Sequence, residues 1–414
     1  MPIVENRRFQ SRPRKKGDAG VTDSVALRLA NLNFERSDPD ELETTADQDA
    51  VQLIYRIVSF MKALKNTDEE LFRIDLDTRG RRHYYQHPLG ESFIRLCGRP
   101  MLPIVEAFPL HELNPWVKAF LAHTRHAAIY ELRLHPNARF TANMRDWIDS
   151  LNKIVAELKI AMAQPSFRAA EKNWARRTSR ARWRFFKLFK ATLARHSKVM
   201  VVRIDFGLKR HELYNSKEPR TPWPQATVNP NAPHAGAQVQ AEDQRLKNLL
   251  QQLGFDEIDT AREKSLRRIR DVFGSGLLGY IWKLEYGARK GFHYHCVFLL
   301  NGSVHRQDIS IGNQIGKIWA DYAPNGLGIF RNCNANRGYY KFPAVGMLQY
   351  HESRHWKGLS HIANYLSKPD YYVLLKLPSD QKHRTFGTSV IPRLTTNKPG
   401  PHRRKSFGLQ GNPL

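Results

Sequence analysis

Two segments near the middle of the chain alternate apolar and polar residues with a period of two, and they constrain everything packed around them. Gly279–Tyr286 carries Tyr280, Trp282, Leu284 and Tyr286 at its even positions. Phe292–Asn301 carries Phe292, Tyr294, Cys296, Phe298 and Leu300. Successive side chains of a strand point to opposite faces, so each segment is a strand with one apolar face. The intervening Gly287-Ala288-Arg289-Lys290-Gly291 makes them a hairpin. Both apolar rows reach one core only if even positions pair with even positions. A turn with an odd number of residues, Ala288-Arg289-Lys290, achieves this; an even one puts the rows on opposite faces. The register then sets Leu284 opposite Tyr294 and Glu285 opposite His293.

The other face of the hairpin therefore gathers Glu285, His293 and His295. Two imidazoles and a carboxylate on adjacent strands are a sound ligand set for a divalent ion. Held by a rigid sheet, Mg²⁺ or Mn²⁺ there would act as a Lewis acid on a phosphate oxygen. A lone His-x-His also arises as two surface histidines on a half-exposed strand; the facing carboxylate and the apolar flanks favour ligation. Cys296 falls in the apolar row and reads as core.

A second cluster lies on a helix expected from about Trp356 to Lys368. Leu359, Ile362, Ala363 and Leu366 form its apolar face, and His361, Tyr365 and Lys368 project together from the opposite side. Pro369 stops the helix. A phenol with a pKa of about 10 is a poor nucleophile unaided. A metal-polarised phosphate and a nearby lysine lower that barrier. The alternative is a tyrosine and a lysine on an exposed helix. Tyr371 and Tyr372 are rival nucleophiles beyond the helix stop.

The formal charge is +27 and the pI near 10.1, a field that attracts polyanions. No apolar run reaches the roughly 18–20 residues of a transmembrane helix and the start is polar and basic, so nucleic acid is favoured over membrane and no secretory signal is expected. Cys97, Cys296 and Cys333 are far apart, which fits a reducing cytosol and excludes a zinc ribbon. The expected organisation is a basic disordered tail over 1–45, a mostly helical region over 46–165, and a basic aromatic helix over 166–197. A sheet domain over 198–390 with an insertion at 212–240 and a basic tail over 391–414 complete it. In the basic helix Arg176, Arg177, Arg180, Arg182, Arg184 and Lys187 are expected to line a nucleic-acid strand, with the interleaved aromatics, Trp183 included, seating the helix on the next domain. Lys198–Phe206 reads as a strand with Met200, Val202, Ile204 and Phe206 on one face and Arg203 and Asp205 on the other.

In order, Val201–Asp205, His293-Tyr294-His295 and Tyr365-x-x-Lys368 resemble the three motifs of the HUH endonucleases, the rolling-circle replication initiators. The stretches around Trp282–Leu300, Tyr365–Pro369 and Arg384–Gly387 are similar to the replication proteins of inoviruses and prophages of the YagK/YfjJ C-terminal type. The resemblance covers roughly Lys198 to Val390. It implies an α+β fold, a central antiparallel sheet with flanking helices. It also implies a metal-dependent nicking and joining activity on single-stranded or origin DNA of a phage, prophage or plasmid. His293 and His295 match the metal pair, Tyr365 the nucleophile that forms a 5′-phosphotyrosyl link, and Lys368 the motif lysine. Glu285 is the third ligand by register; Asp205, Arg203 and His361 are supporting candidates. The charged Arg203 and Asp205 depart from the hydrophobic-threonine pattern of many initiators. Host replication helicase and polymerase are the implied partners, in a bacterial cytoplasm. No G-x-x-x-x-G-K-[ST] loop is present, so no fused helicase is expected. A non-catalytic DNA-binding regulator and an RNA-binding protein are the competing readings.

Overall fold

The structure, a computed structural model, describes residues 46–393 except 77, 81, 100, 102–103, 105–106, 125–143, 210–243, 245, 249, 252–253, 288–290, 340–343, 353, 368–369, 371 and 379–382. The expected 1–45 tail, the 212–240 insertion, the 288–290 turn and the chain after 393 lie outside the described residues.

The chain is α+β with antiparallel sheets. The first core is built by helices α1 (Ala46–Lys65), α2 (Pro88–Cys97), α3 (Pro115–His123) and α4 (Met144–Ala163). Each presents an apolar stripe at helical spacing: Ile54, Ile57, Met61 and Leu64 from α1, Leu151, Ile154 and Leu158 from α4. The ring of Phe60 lies 5.6 Å from Phe93 and 6.1 Å from Phe120. Asn114 caps α3, its side chain accepting from the Trp116 N–H, with Pro115 at the first turn. This region also holds a hairpin, β1 (Phe72–Leu76) with β2 (Arg82–Gln86), and a short strand, β3 (His111–Leu113).

Helix α5 (Pro165–Arg195) belongs to both halves. Its start packs Phe167 against Trp116, centroids 4.9 Å apart, in the first core. Its end packs Phe185, Phe186, Leu188 and Phe189 on the main sheet. At ~1.5 Å per residue it is roughly 46 Å long.

The main sheet comprises β4 (Lys198–Leu208), β5 (Leu277–Gly287), β6 (Gly291–Asn301), β7 (Gly328–Asn332), β8 (Gly346–Gln349) and β10 (Phe386–Thr388), in the order β10-β5-β6-β4-β7 with β8 also on β4. Helices α6 (Phe255–Phe273) and α7 (Asp308–Tyr322) cover the face made by even positions of β4, β5 and β6, where Phe206, Leu284, Tyr294 and Phe298 are buried. Each such side chain contributes about 1.5–3 kcal/mol on burial. Helix α7 sits close because Gly316 lies over the Phe330 ring; a Cβ there would approach it to 2.2 Å.

The odd-numbered face changes character along its length. Val199, Val201, Ile281, Val297 and Leu299 are covered by α5 and by α8 (Arg354–Ser367). Beyond them the same rows continue as Arg203 and Asp205 on β4, Lys283 and Glu285 on β5, and His295 and His293 on β6. That polar end lies under the C-terminal half of α8. Strand β9 (Val373–Leu375) follows α8 and pairs with β3, His111 to Leu375 and Leu113 to Val373. The Asn114 N–H donates to Tyr372 O at 3.0 Å and the Lys376 N–H to Leu110 O at 2.9 Å, extending this tie between the helical region and the end of α8. Among the described residues no helix is long and apolar enough to cross a membrane.

Candidate functional site

The hairpin takes the register derived above: Leu284 opposes Tyr294, Glu285 opposes His293, and Gly287 opposes Gly291. Glu285, His293 and His295 each offer a ligand atom, and these atoms lie within 4.8 Å of one another. All three residues are buried. Hydrogen bonds hold both imidazole rings in place. His293 Nδ1 lies 3.1 Å from the carbonyl two residues before it, Gly291 O, and His295 Nδ1 lies 2.5 Å from Asp205 Oδ1. A carbonyl only accepts, so His293 Nδ1 carries the proton and its Nε2 keeps a lone pair, while the His295 ring stands between two carboxylates. Both Nε2 atoms face the same carboxylate oxygen, Glu285 Oε2, at 3.0 Å from His295 and 3.7 Å from His293. Three electron-rich atoms converging in a buried place repel one another unless a proton or a cation lies between them. The donor set thus fits a divalent metal ion held by three protein ligands.

Asp205 is brought in by β4, whose residue 205 lies opposite His295. Its carboxylate orients the His295 ring. Cys333 Sγ lies 3.7 Å from the other Asp205 oxygen. Asp205→Asn is expected to weaken Mn²⁺ binding by roughly 10–100-fold. Calorimetric titration at fixed pH measures this, and an unchanged affinity would show that Asp205 does not orient His295.

Tyr365 turns towards this cluster. Its ring stands nearly perpendicular to the His295 ring, centroids 5.3 Å apart at 84°, and the Arg203 guanidinium lies 4.1 Å from its centroid. Arg203 is itself buried on β4, its N–H donating to Asn334 Oδ1. The helix face expected to look away from the core is therefore split. Tyr365 faces the polar end of the sheet, and His361 is exposed. Lys368 and Tyr371 lie outside the described residues. Tyr372 packs towards Tyr55 in the first core, centroids 6.4 Å apart, and burial raises its phenol pKa.

Two groups here were not singled out from the sequence. Lys283, opposite His295, is buried, and its Nζ donates to both Asp370 oxygens at 2.7 Å. Burial pushes the Asp370 carboxyl upward, an effect the Lys283 charge partly offsets. Asp370 comes shortly after α8, so this ion pair fastens the end of the Tyr365 helix to β5. A charge at an odd position between Ile281 and Glu285 was the available signal. The second group is His111 on β3, buried with no hydrogen-bond partner at Nδ1. Burial lowers its pKa to about 3, with the Glu285 charge opposing and the Lys283 charge adding to the shift.

A histidine whose folded pKa lies below its unfolded value stabilises the fold above the unfolded pKa, and that contribution is lost as pH falls from there towards the folded value. Between pH 7 and pH 5 the chain should lose about 2 kcal/mol that a His111→Leu variant does not lose. Urea unfolding at the two pH values tests this; parallel losses would mean that His111 titrates normally.

Residues 168–325 match the YagK/YfjJ C-terminal domain family. The family is prophage-associated. The YagK/YfjJ match runs from α5 to just past α7 and so includes Arg203, Asp205, Glu285, His293 and His295. Tyr365 and Asp370 lie beyond it. No curated protein and no solved structure matches the chain.

The basic helix with which the YagK/YfjJ match begins separates its cations into two sets. Arg176, Arg180 and Lys187 are exposed. Arg177, also exposed, has its Nη1 3.4 Å from Glu112, Arg184 donates to Thr388 Oγ1 at 3.3 Å, and Arg182 rests on the Phe186 ring at 5.2 Å. Among the aromatics expected to seat the helix, Trp174, Phe185, Phe186 and Phe189 are buried, but Trp183 is 49% exposed. It falls on the solvent side of α5, one turn before Lys187.

Proposed function

We propose that the chain is a metal-dependent endonuclease of the HUH type, which nicks and rejoins single-stranded DNA to initiate rolling-circle replication of a phage, prophage or plasmid. The observation that carries this reading is the meeting of a tyrosine ring with a buried His-His-Glu set across a sheet and a helix that are distant in sequence. The sheet with its histidines on a central strand supports an HUH-like fold.

Mg²⁺ or Mn²⁺ held by His293, His295 and Glu285 would supply Lewis-acid polarisation of a phosphodiester oxygen. Tyr365 attacks the phosphorus through Oη and loses its proton. The bond from phosphorus to the 3′ oxygen breaks, and that oxygen takes up a proton. The products are a 5′-phosphotyrosyl link and a free 3′-hydroxyl. One phosphodiester replaces another, so rejoining by the reverse attack needs no nucleotide cofactor. Arg203 holds the ring from one side and Asp205 holds His295 from behind. Lys368 is the motif lysine that steadies charge on the phosphate. The exposed cations of α5 track the strand by counterion release. The freed 3′-hydroxyl would serve a host polymerase and helicase in the bacterial cytoplasm.

The test is incubation of the full chain with end-labelled single-stranded DNA of its own replicon and Mn²⁺, followed by a denaturing gel. A covalent protein–DNA band that EDTA removes is the expected result. Tight binding with no band on any strand, and no metal dependence, would sink the reading in favour of a regulator. Preference for RNA with no band would favour an RNA-binding protein.

A further inference from the structure

Helix α5 carries ten lysines and arginines and one acidic residue, Glu171, in 31 residues. Arg176, Arg180, Trp183, Lys187 and Lys190 recur at intervals of four, three, four and three, so they form one stripe along the helix. All five are exposed. The stripe is roughly 21 Å long at ~1.5 Å per residue. Its single apolar member is an indole in the middle, with two cations on either side. Lys187 Nζ lies 4.5 Å from the Trp183 centroid, which stations a cation at the ring. The neighbouring Phe186 turns the other way, towards Trp356 of α8. The stripe therefore runs along the helix that packs against the Tyr365 helix.

A solvated basic helix has no use for an exposed tryptophan at the centre of its cationic row. Duplex DNA would meet the cations through its phosphates, but its bases are stacked within the helix and unavailable to an indole. An unpaired strand offers phosphates to the cations and a free base face to the ring, and such stacking is tolerant of sequence. We propose that this stripe is a binding track for single-stranded nucleic acid, with Trp183 as its base-stacking residue. The proposal shares with the nicking reaction only the premise that this chain meets a nucleic-acid strand.

The experiment uses the full chain carrying Tyr365→Phe, in EDTA, so that no reaction is needed. Fluorescein-labelled oligothymidylate, oligouridylate and a duplex of equal length are titrated by anisotropy. Adding Trp183→Ala should weaken binding to single strands about tenfold, while Trp183→Phe keeps most of the affinity and duplex binding hardly changes. The oligothymidylate and oligouridylate arms separate DNA from RNA as the strand. An iododeoxyuridine-substituted strand should photocrosslink at Trp183. Unchanged single-strand affinity in Trp183→Ala overturns the proposal and leaves the indole to a protein partner. An equal loss for duplex and single strand overturns it as well. If the Trp183 effect holds but the unmodified chain forms no covalent adduct with Mn²⁺, only the nicking reading falls.

Discussion

Replacing Tyr365 by phenylalanine should abolish the covalent DNA adduct while leaving the fold and the metal affinity in place. The ring makes the structural contacts: it meets the His295 ring nearly at right angles and carries the Arg203 guanidinium. Phenylalanine keeps the same ring, and so keeps the packing and most of the cation–π attraction, which is worth about 0.5–2 kcal/mol. What disappears is Oη, the one atom that can form the new bond to phosphorus. Loss of a nucleophile removes a whole step, so the rate should fall by more than about 10³-fold. Adduct formation on a denaturing gel gives the rate; thermal unfolding and a Mn²⁺ titration show that nothing else moved. A residual band of wild-type intensity would transfer the role to another tyrosine. Tyr372 is a poor heir, since it packs towards Tyr55 and its phenol is harder to ionise.

Asp370→Ala should produce the largest loss of stability, about 3–5 kcal/mol, because it strands the Lys283 ammonium in the interior with no counter-charge. The double change Asp370→Ala with Lys283→Met should recover much of this, since removing both charges of a buried pair is often nearly neutral. The pair therefore adds little net stability, and its importance is positional: it ties the segment after Tyr365 to β5. Urea unfolding of the two variants gives the energies. A cost below about 1 kcal/mol for the single change would mean that water reaches Lys283 and that the tie is weak. The double variant should be stable yet slow in adduct formation, with its Mn²⁺ affinity retained.

The hairpin was legible because its information is local. Alternation fixes the faces, and matching the faces fixes the register, so the sequence itself sets Glu285 opposite His293. The helices α4, α5 and α8 were legible for the same reason, with a period of 3.6 in place of 2. The strands β3, β9 and β10 have three residues each, too few for any period, and their pairing is decided by distant partners. The β1–β2 hairpin was hidden by polar residues such as Arg82, His83 and Gln86. Within the site, Lys283, Asp370 and His111 come from three separate segments, and only the closed fold makes them neighbours. The helical wheel of α8 set Tyr365 opposite its apolar face, which reads as solvent. It reads differently once the facing sheet turns from Val201 and Val297 to Arg203 and His295, because a polar helix side can then be an inner one. Trp183 shows the converse error: an aromatic residue in a mixed helix was assigned to the interior by type alone.

Strand β3 precedes its partner β9 by more than half of the chain, and the ribosome makes them in that order. The segments of β4, β5 and β6, which carry Asp205, Glu285 and both histidines, are all made before any residue beyond Asn301. The segment bearing Tyr365 and Asp370 is made later, and the Lys283–Asp370 pair and the pairing of β9 with β3 both fasten it. A nascent chain is therefore furnished with its metal ligands well before its tyrosine is seated, and any reaction at Tyr365 waits for the end of translation.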